Sequence, residues 1–92
     1  MKTLADFKRA LTLGSKWSCY NHLYNSDMGV REVSMVRSNS FGFRVIRESG
    51  EEVTSLCDFP KASDIEITSN GTVNIYGIWR DSRRIKLSYR QV

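Results

Sequence analysis

The stretch from residue 64 to residue 79, DIEITSNGTVNIYGIW, constrains the fold more than any other part of the chain. Ile65 and Ile67 alternate with polar residues, and Val73 and Ile75 do so again after a turn, which is the period-two pattern of a half-buried hairpin. The letters Asn70-Gly71 suggest a two-residue type I′ loop. That loop would set Ile67 opposite Asn74 and Ile65 opposite Tyr76, placing the two aliphatic rows on different faces. A three-residue loop, Ser69-Asn70-Gly71, instead pairs Ile67 with Val73 and Ile65 with Ile75. It also puts Gly71 where a type I turn with a G1 bulge needs positive φ. The three-residue loop is the expectation.

The same logic applies one hairpin earlier. With Glu48-Ser49-Gly50 as a three-residue loop, Val45 pairs with Val53, Phe41 with Cys57 and Arg47 with Glu51; a two-residue loop would leave Phe41 facing Asp58. Phe41, Phe43 and Val45 then share one face, and Gly42 marks a bulge or a tight strand crossing.

Elsewhere the signals are shorter. Thr3 and Asp6 resemble a capping box, and Leu4, Phe7 and Leu11 share a helical face, so a helix is expected over residues 4–12, with Lys2, Lys8 and Arg9 in water and Gly14 as its stop. Strands are expected over 15–24, ending at the turn cluster Asn25-Ser26-Asp27, and over 30–37. The segment 58–63, with its proline, reads as a loop. Arg80 to Arg84 read as a tight basic turn, after which IKLSYR points Ile85, Leu87 and Tyr89 inward. Trp17 is assigned to core packing. The expected architecture is α+β: one N-terminal helix and a six- or seven-stranded antiparallel meander, either open or partly closed into a barrel. Ninety-two residues with no linker or repeat make a single domain, 1–92.

No stretch reaches transmembrane length and the first residues lack a signal-peptide pattern, so a cytoplasmic protein with reduced Cys19 and Cys57 is expected, with no membrane partner. The net charge of +4 conceals a pattern: residues 1–47 carry eight Lys/Arg against three Asp/Glu, 48–66 one against six, and 67–92 five against one. An acidic middle between basic flanks is unlike a uniformly cationic nucleic-acid binder. Nine of the fourteen cationic residues are Arg, suited to bidentate contact with carboxylate or phosphate.

Catalytic chemistry finds little to build on. His22 is the only histidine, and Cys19-x-x-His22 is a pair rather than a triad. Cys19, His22, Cys57 and Asp58 would supply four zinc ligands if the fold gathered them, but structural zinc uses two closely spaced pairs and only one is present. Glu48, Glu51 and Glu52 crowd a hairpin tip, where water solvates them. There is no Walker loop and no dinucleotide-binding glycine fingerprint. The expectation is a non-enzymatic chain without metal or cofactor.

A candidate binding surface follows from the register. If Val73, Ile75 and Trp79 face the core, then Asn74, Tyr76 and Ile78 face out, with Arg90, Ser88 and Lys86 across from them and Arg80, Arg83 and Arg84 at the adjoining turn. Tyr interleaved with Lys and Arg can stack bases and neutralise phosphates, and it equally typifies protein-interface hot spots. The expected binding residues are Tyr76, Arg80, Arg83, Arg84, Lys86 and Arg90. The plain alternative is a solvated sheet face.

Three blocks, LADFKRALTLGSKW, GVREVSMVRSNSFGF and DFPKASD followed by a hairpin, resemble in order those of small proteins encoded by bacteriophages and mobile elements. The resemblance covers nearly the whole chain and brings no catalytic motif with it. It implies an anti-CRISPR-type inhibitor: a binding protein that occupies a host protein or ribonucleoprotein complex, such as an RNA-guided nuclease, in the host cytoplasm. The alternative is a nucleic-acid-binding accessory or regulatory protein of a mobile element, touching DNA or RNA directly.

Overall fold

The computed structural model describes residues 2–92. The chain runs α1 (Leu4–Ala10), β1 (Lys16–Asn21), β2 (Ser26–Val36), β3 (Ser40–Ile46), β4 (Glu52–Asp58), a 3-10 turn at Ala62–Asp64, β5 (Ile65–Ile67), β6 (Val73–Trp79) and β7 (Ser82–Gln91). Thr3 and Asp6 form the capping box that starts α1, and the helix ends two residues short of the expected boundary. β1 stops at Asn21 because the turn occupies His22 to Asn25, so β2 opens at Ser26 inside the stretch expected to be a turn.

Both hairpin loops adopt the three-residue form. Ile65 pairs with Ile75 and Ile67 with Val73, while Phe41 pairs with Cys57 and Val45 with Val53. Gly71 at φ 86° and Gly50 at φ 85° take the left-handed position that the loop requires, and their N–H groups donate to Thr68 and Arg47 carbonyls at 3.0 and 2.8 Å.

The seven strands form one antiparallel sheet in the order β4-β3-β2-β1-β7-β6-β5. It consists of two meanders, β1–β4 and β5–β7, joined where the first strand pairs with the last. Trp17 lies opposite Gln91 and Cys19 opposite Tyr89. The fold is mostly β with one helix, and the sheet is not closed: β4 and β5 are its edges.

Three one-residue bulges bend this sheet. Met28 is extra against β1, Ser34 against β3 beside Gly42, and Lys86 against β6. The curl is visible in the core. Phe43 of β3 and Tyr89 of β7 stack with ring centroids 5.6 Å apart, although two strands separate them and a flat sheet would hold them about 14 Å apart. Phe7 of α1 fills the hollow, meeting Trp17, Phe41 and Tyr89 at 5.6–6.1 Å. Phe7, Trp17, Phe41, Val73 and Tyr89 are all at most 1% exposed. Burying aromatics of this size supplies the largest share of the fold's apolar stabilisation.

Candidate interaction surface

The last hairpin departs from the expected geometry. Its loop is two residues long: Arg80 at φ 50° and Asp81 at φ 63° lie between Trp79 and Ser82, which pair. Continued without interruption, that register would set Lys86 opposite Ile75 and drive the ammonium into the core. The bulge at Lys86 restores Leu87 opposite Ile75 and Tyr89 opposite Val73. Relative to that end of the strand, the residues nearer the turn are inverted, with Ile85 opposite Tyr76 and Arg83 opposite Ile78. Asn74 therefore faces Ser88 rather than Arg90. Ile85 points out instead of in, and Trp79, expected in the core, is 36% exposed.

The six expected binding residues fall into separate settings. Tyr76 is half-buried beneath Arg83, whose guanidinium carbon stands 4.1 Å from the ring centroid. Arg83 donates to the Ser63 carbonyl at 2.7 Å and pairs with Asp64 at 3.7 Å, tying the hairpin to the 3-10 turn. Arg84 pairs with Gly77, and the Lys86 stem lies over that same glycine, so close that a Cβ there would meet Lys86 Cδ at 3.2 Å. Arg84 and Lys86 thus leave the face that carries Tyr76. Arg80 stands over Trp79 at 5.9 Å. Arg90 lies at the far end of β7, opposite Ser18.

Residues outside the expected binding set complete a surface around Arg80, Arg84 and Lys86. The β1–β2 turn is held against the hairpin by the His22 N–H, which donates to the Lys86 carbonyl at 3.0 Å. Leu23, Gly77, Ile78, Trp79 and Lys86 line a shallow groove of about 260 Å³. Tyr24, next to Leu23 in the β1–β2 turn, and Ile78, in the groove wall, are 73% and 72% exposed. Among the described residues, no carboxylate comes within ion-pairing distance of Arg80, Arg84 or Lys86. The result is an apolar and aromatic groove rimmed by uncompensated cations.

The opposite face of the same strands is internally satisfied. Asn74, 9% exposed, donates to Glu66 at 3.4 Å and accepts from Ser88 at 2.6 Å, and the Ser88 oxygen lies 2.7 Å from His22 Nε2. The His22 ring meets Tyr20 edge-on at 4.8 Å. His22 is therefore committed to this polar ladder, while Cys19 is buried in the core under the other face, at 1% exposure. His22 lies in the turn just beyond β1 with its ring on Ser88, and Cys19 lies within β1 in the core, so the Cys19-x-x-His22 pair does not converge. Among the described residues, no group of three or more His, Cys, Asp or Glu side chains comes together in a metal-binding arrangement. Among the described residues, no helix is long and apolar enough to cross a membrane. Comparison with known proteins finds no matching family model, no similar curated protein and no similar solved structure.

Proposed function

We propose that this chain is a non-enzymatic binding protein that engages an acidic surface of a protein or ribonucleoprotein partner through the end of the β6–β7 hairpin. The observation that carries this reading is the coincidence of exposed Tyr24, Ile78 and Trp79 with three cations that have no acidic partner among the described residues. Trp, Tyr and Arg are the side chains on which interface energy concentrates, and unpaired cations at the rim steer acidic partners towards the groove. The resemblance to phage and mobile-element proteins supplies the class of target. It is a host defence complex in the host cytoplasm, such as an RNA-guided nuclease, inhibited by occlusion rather than by chemistry.

Direct binding to DNA or RNA is a second reading, favoured by the Trp79–Arg80 stack, since an exposed ring beside a cation can carry a base. The test for both is affinity capture from bacterial lysate, with and without nuclease treatment, using the wild type and an Arg80→Ala/Arg84→Ala variant. A discrete complex that survives nuclease and is lost by the variant is expected. Capture that vanishes with nuclease would overturn the protein-partner reading in favour of nucleic acid, and log K would then fall steeply with log[salt].

A further inference from the structure

The curl of the sheet brings β4 towards β7 without pairing them in the sheet, and the gap between them is a cleft of about 420 Å³. That volume lies within the ~300–1,000 Å³ typical of small-molecule pockets, which pair apolar walls with a few placed polar groups. Phe43, Ile75 and Leu87 supply apolar wall. The polar groups that matter are Arg31, Lys86 and the Tyr89 hydroxyl, with Asp58 as the one carboxylate at the exposed edge.

Two observations indicate what this cleft recognises. Tyr89 is 1% exposed, yet the contact its hydroxyl makes is to the Cys57 thiol at 3.6 Å. A thiol is both a weak donor and a weak acceptor, so the buried hydroxyl lines the cleft with capacity for a stronger partner. Moreover, no carboxylate among the described residues comes within ion-pairing distance of Arg31 or Lys86. As the extra residue of its bulge, Lys86 reaches the cleft beside Leu87 rather than alternating away from it. Two cations and a neutral donor against one peripheral carboxylate select an anion, and the apolar walls strengthen each charge-assisted hydrogen bond. We infer that the cleft binds a small organic carboxylate with an apolar body, its carboxylate held by Arg31, Lys86 and the Tyr89 hydroxyl and its body against Phe43 and Leu87. This site is separate from the proposed docking groove, with Lys86 on the ridge between them.

The test is an NMR titration of the ¹⁵N-labelled full chain with octanoate, with octylammonium and acetate as controls. Octanoate should give saturable shifts centred on Cys19, Arg31, Cys57 and Tyr89, octylammonium none, and acetate much weaker ones. Tyr89→Phe and Lys86→Gln should each weaken octanoate binding about tenfold, the ratio carried by one hydrogen bond to a charged group. Both substitutions spare the aromatic rings of the core, and each variant's amide spectrum checks that it is folded. Absence of saturable shifts, equal response to octylammonium, shifts centred on another surface, or unchanged affinity in both variants would overturn the proposal.

Discussion

Cys57 Sγ lies 3.6 Å from Tyr89 Oη although β3, β2 and β1 stand between their strands in the sheet. Four strand spacings along a flat sheet would put them about 19 Å apart, so this contact measures how far the sheet curls. Tyr89 is the hinge of that packing: its ring meets Phe7, Phe41 and Phe43 at 6.1, 5.8 and 5.6 Å. Tyr89→Ala should cost about 3–5 kcal/mol, the range for truncating a buried aromatic. Tyr89→Phe should cost under about 1 kcal/mol, because the hydrogen bond it removes is a weak one. Urea unfolding followed by tryptophan fluorescence checks both, and a large loss in Tyr89→Phe would contradict the assignment.

The core also sets an alkaline limit. Burial pushes the Cys19 thiol up from its ordinary 9.0 to about 11, against a smaller opposing influence from Arg31. Burial likewise pushes the Tyr89 hydroxyl well above its usual value, reinforced by neighbouring Cys57. In both cases the folded state holds the proton more tightly than the unfolded chain. The stabilisation linked to Cys19 is therefore complete below about pH 9 and is lost as pH rises through about 11. Stability measured by urea at successive pH values should fall across that window. The decline should be shallower in Cys19→Ala, whatever its absolute stability, and parallel curves would refute the linkage.

Gly42 is required by contact rather than by backbone angle. A Cβ at this position would meet Thr54 Cγ2 at 2.5 Å and Leu56 Cδ2 at 3.2 Å on the neighbouring strand. Gly42→Ala should therefore destabilise by about 1–3 kcal/mol through overpacking. A Thr54→Ser change, which removes the clashing methyl, should recover part of that loss. Thermal melts of the two single variants and the double variant give the coupling, and strict additivity would show that the strain lies elsewhere.

The β3–β4 and β5–β6 hairpins were legible because their apolar rows admit one loop length each. Gly71 and Gly50 sit where that length needs positive φ, so pattern and turn chemistry agree. The last hairpin gives no such agreement. Ile85, Leu87 and Tyr89 alternate without a break, and nothing in that alternation announces a bulge at Lys86. The bulge is instead forced by the two-residue loop at Arg80-Asp81, a type I′ geometry built without Gly or Asn and so without its usual letters. This one residue decides which cations share a face, and it is why the Arg84 and Lys86 placements differ from expectation. The same reasoning predicts that Asp81→Gly relieves a left-handed conformation unfavourable for a side chain and stabilises the hairpin by about 1 kcal/mol. A fall in melting temperature would argue against the I′ loop.

Arg83 and Arg84 are adjacent but do different things. Arg83 covers Tyr76 at 4.1 Å and binds both Ser63 and Asp64, so its guanidinium clamps the hairpin to the 3-10 turn. Half-exposed partners keep such a clamp modest, and Arg83→Ala should cost about 1 kcal/mol through the lost stacking and hydrogen bond. Arg84 has no ion-pair partner among the described residues and projects from an exposed position opposite Gly77. Arg84→Ala should therefore change stability by less than about 0.5 kcal/mol, while lowering affinity for an acidic partner. Arg83→Lys separates the two roles further, since an ammonium keeps the charge but loses the planar stack on Tyr76. Parallel chemical denaturation and binding measurements should thus show a stability defect for the variants at position 83 and a binding defect for Arg84→Ala. If Arg84→Ala unfolds the domain while Arg83→Ala leaves it untouched, the register of the last hairpin described above is wrong.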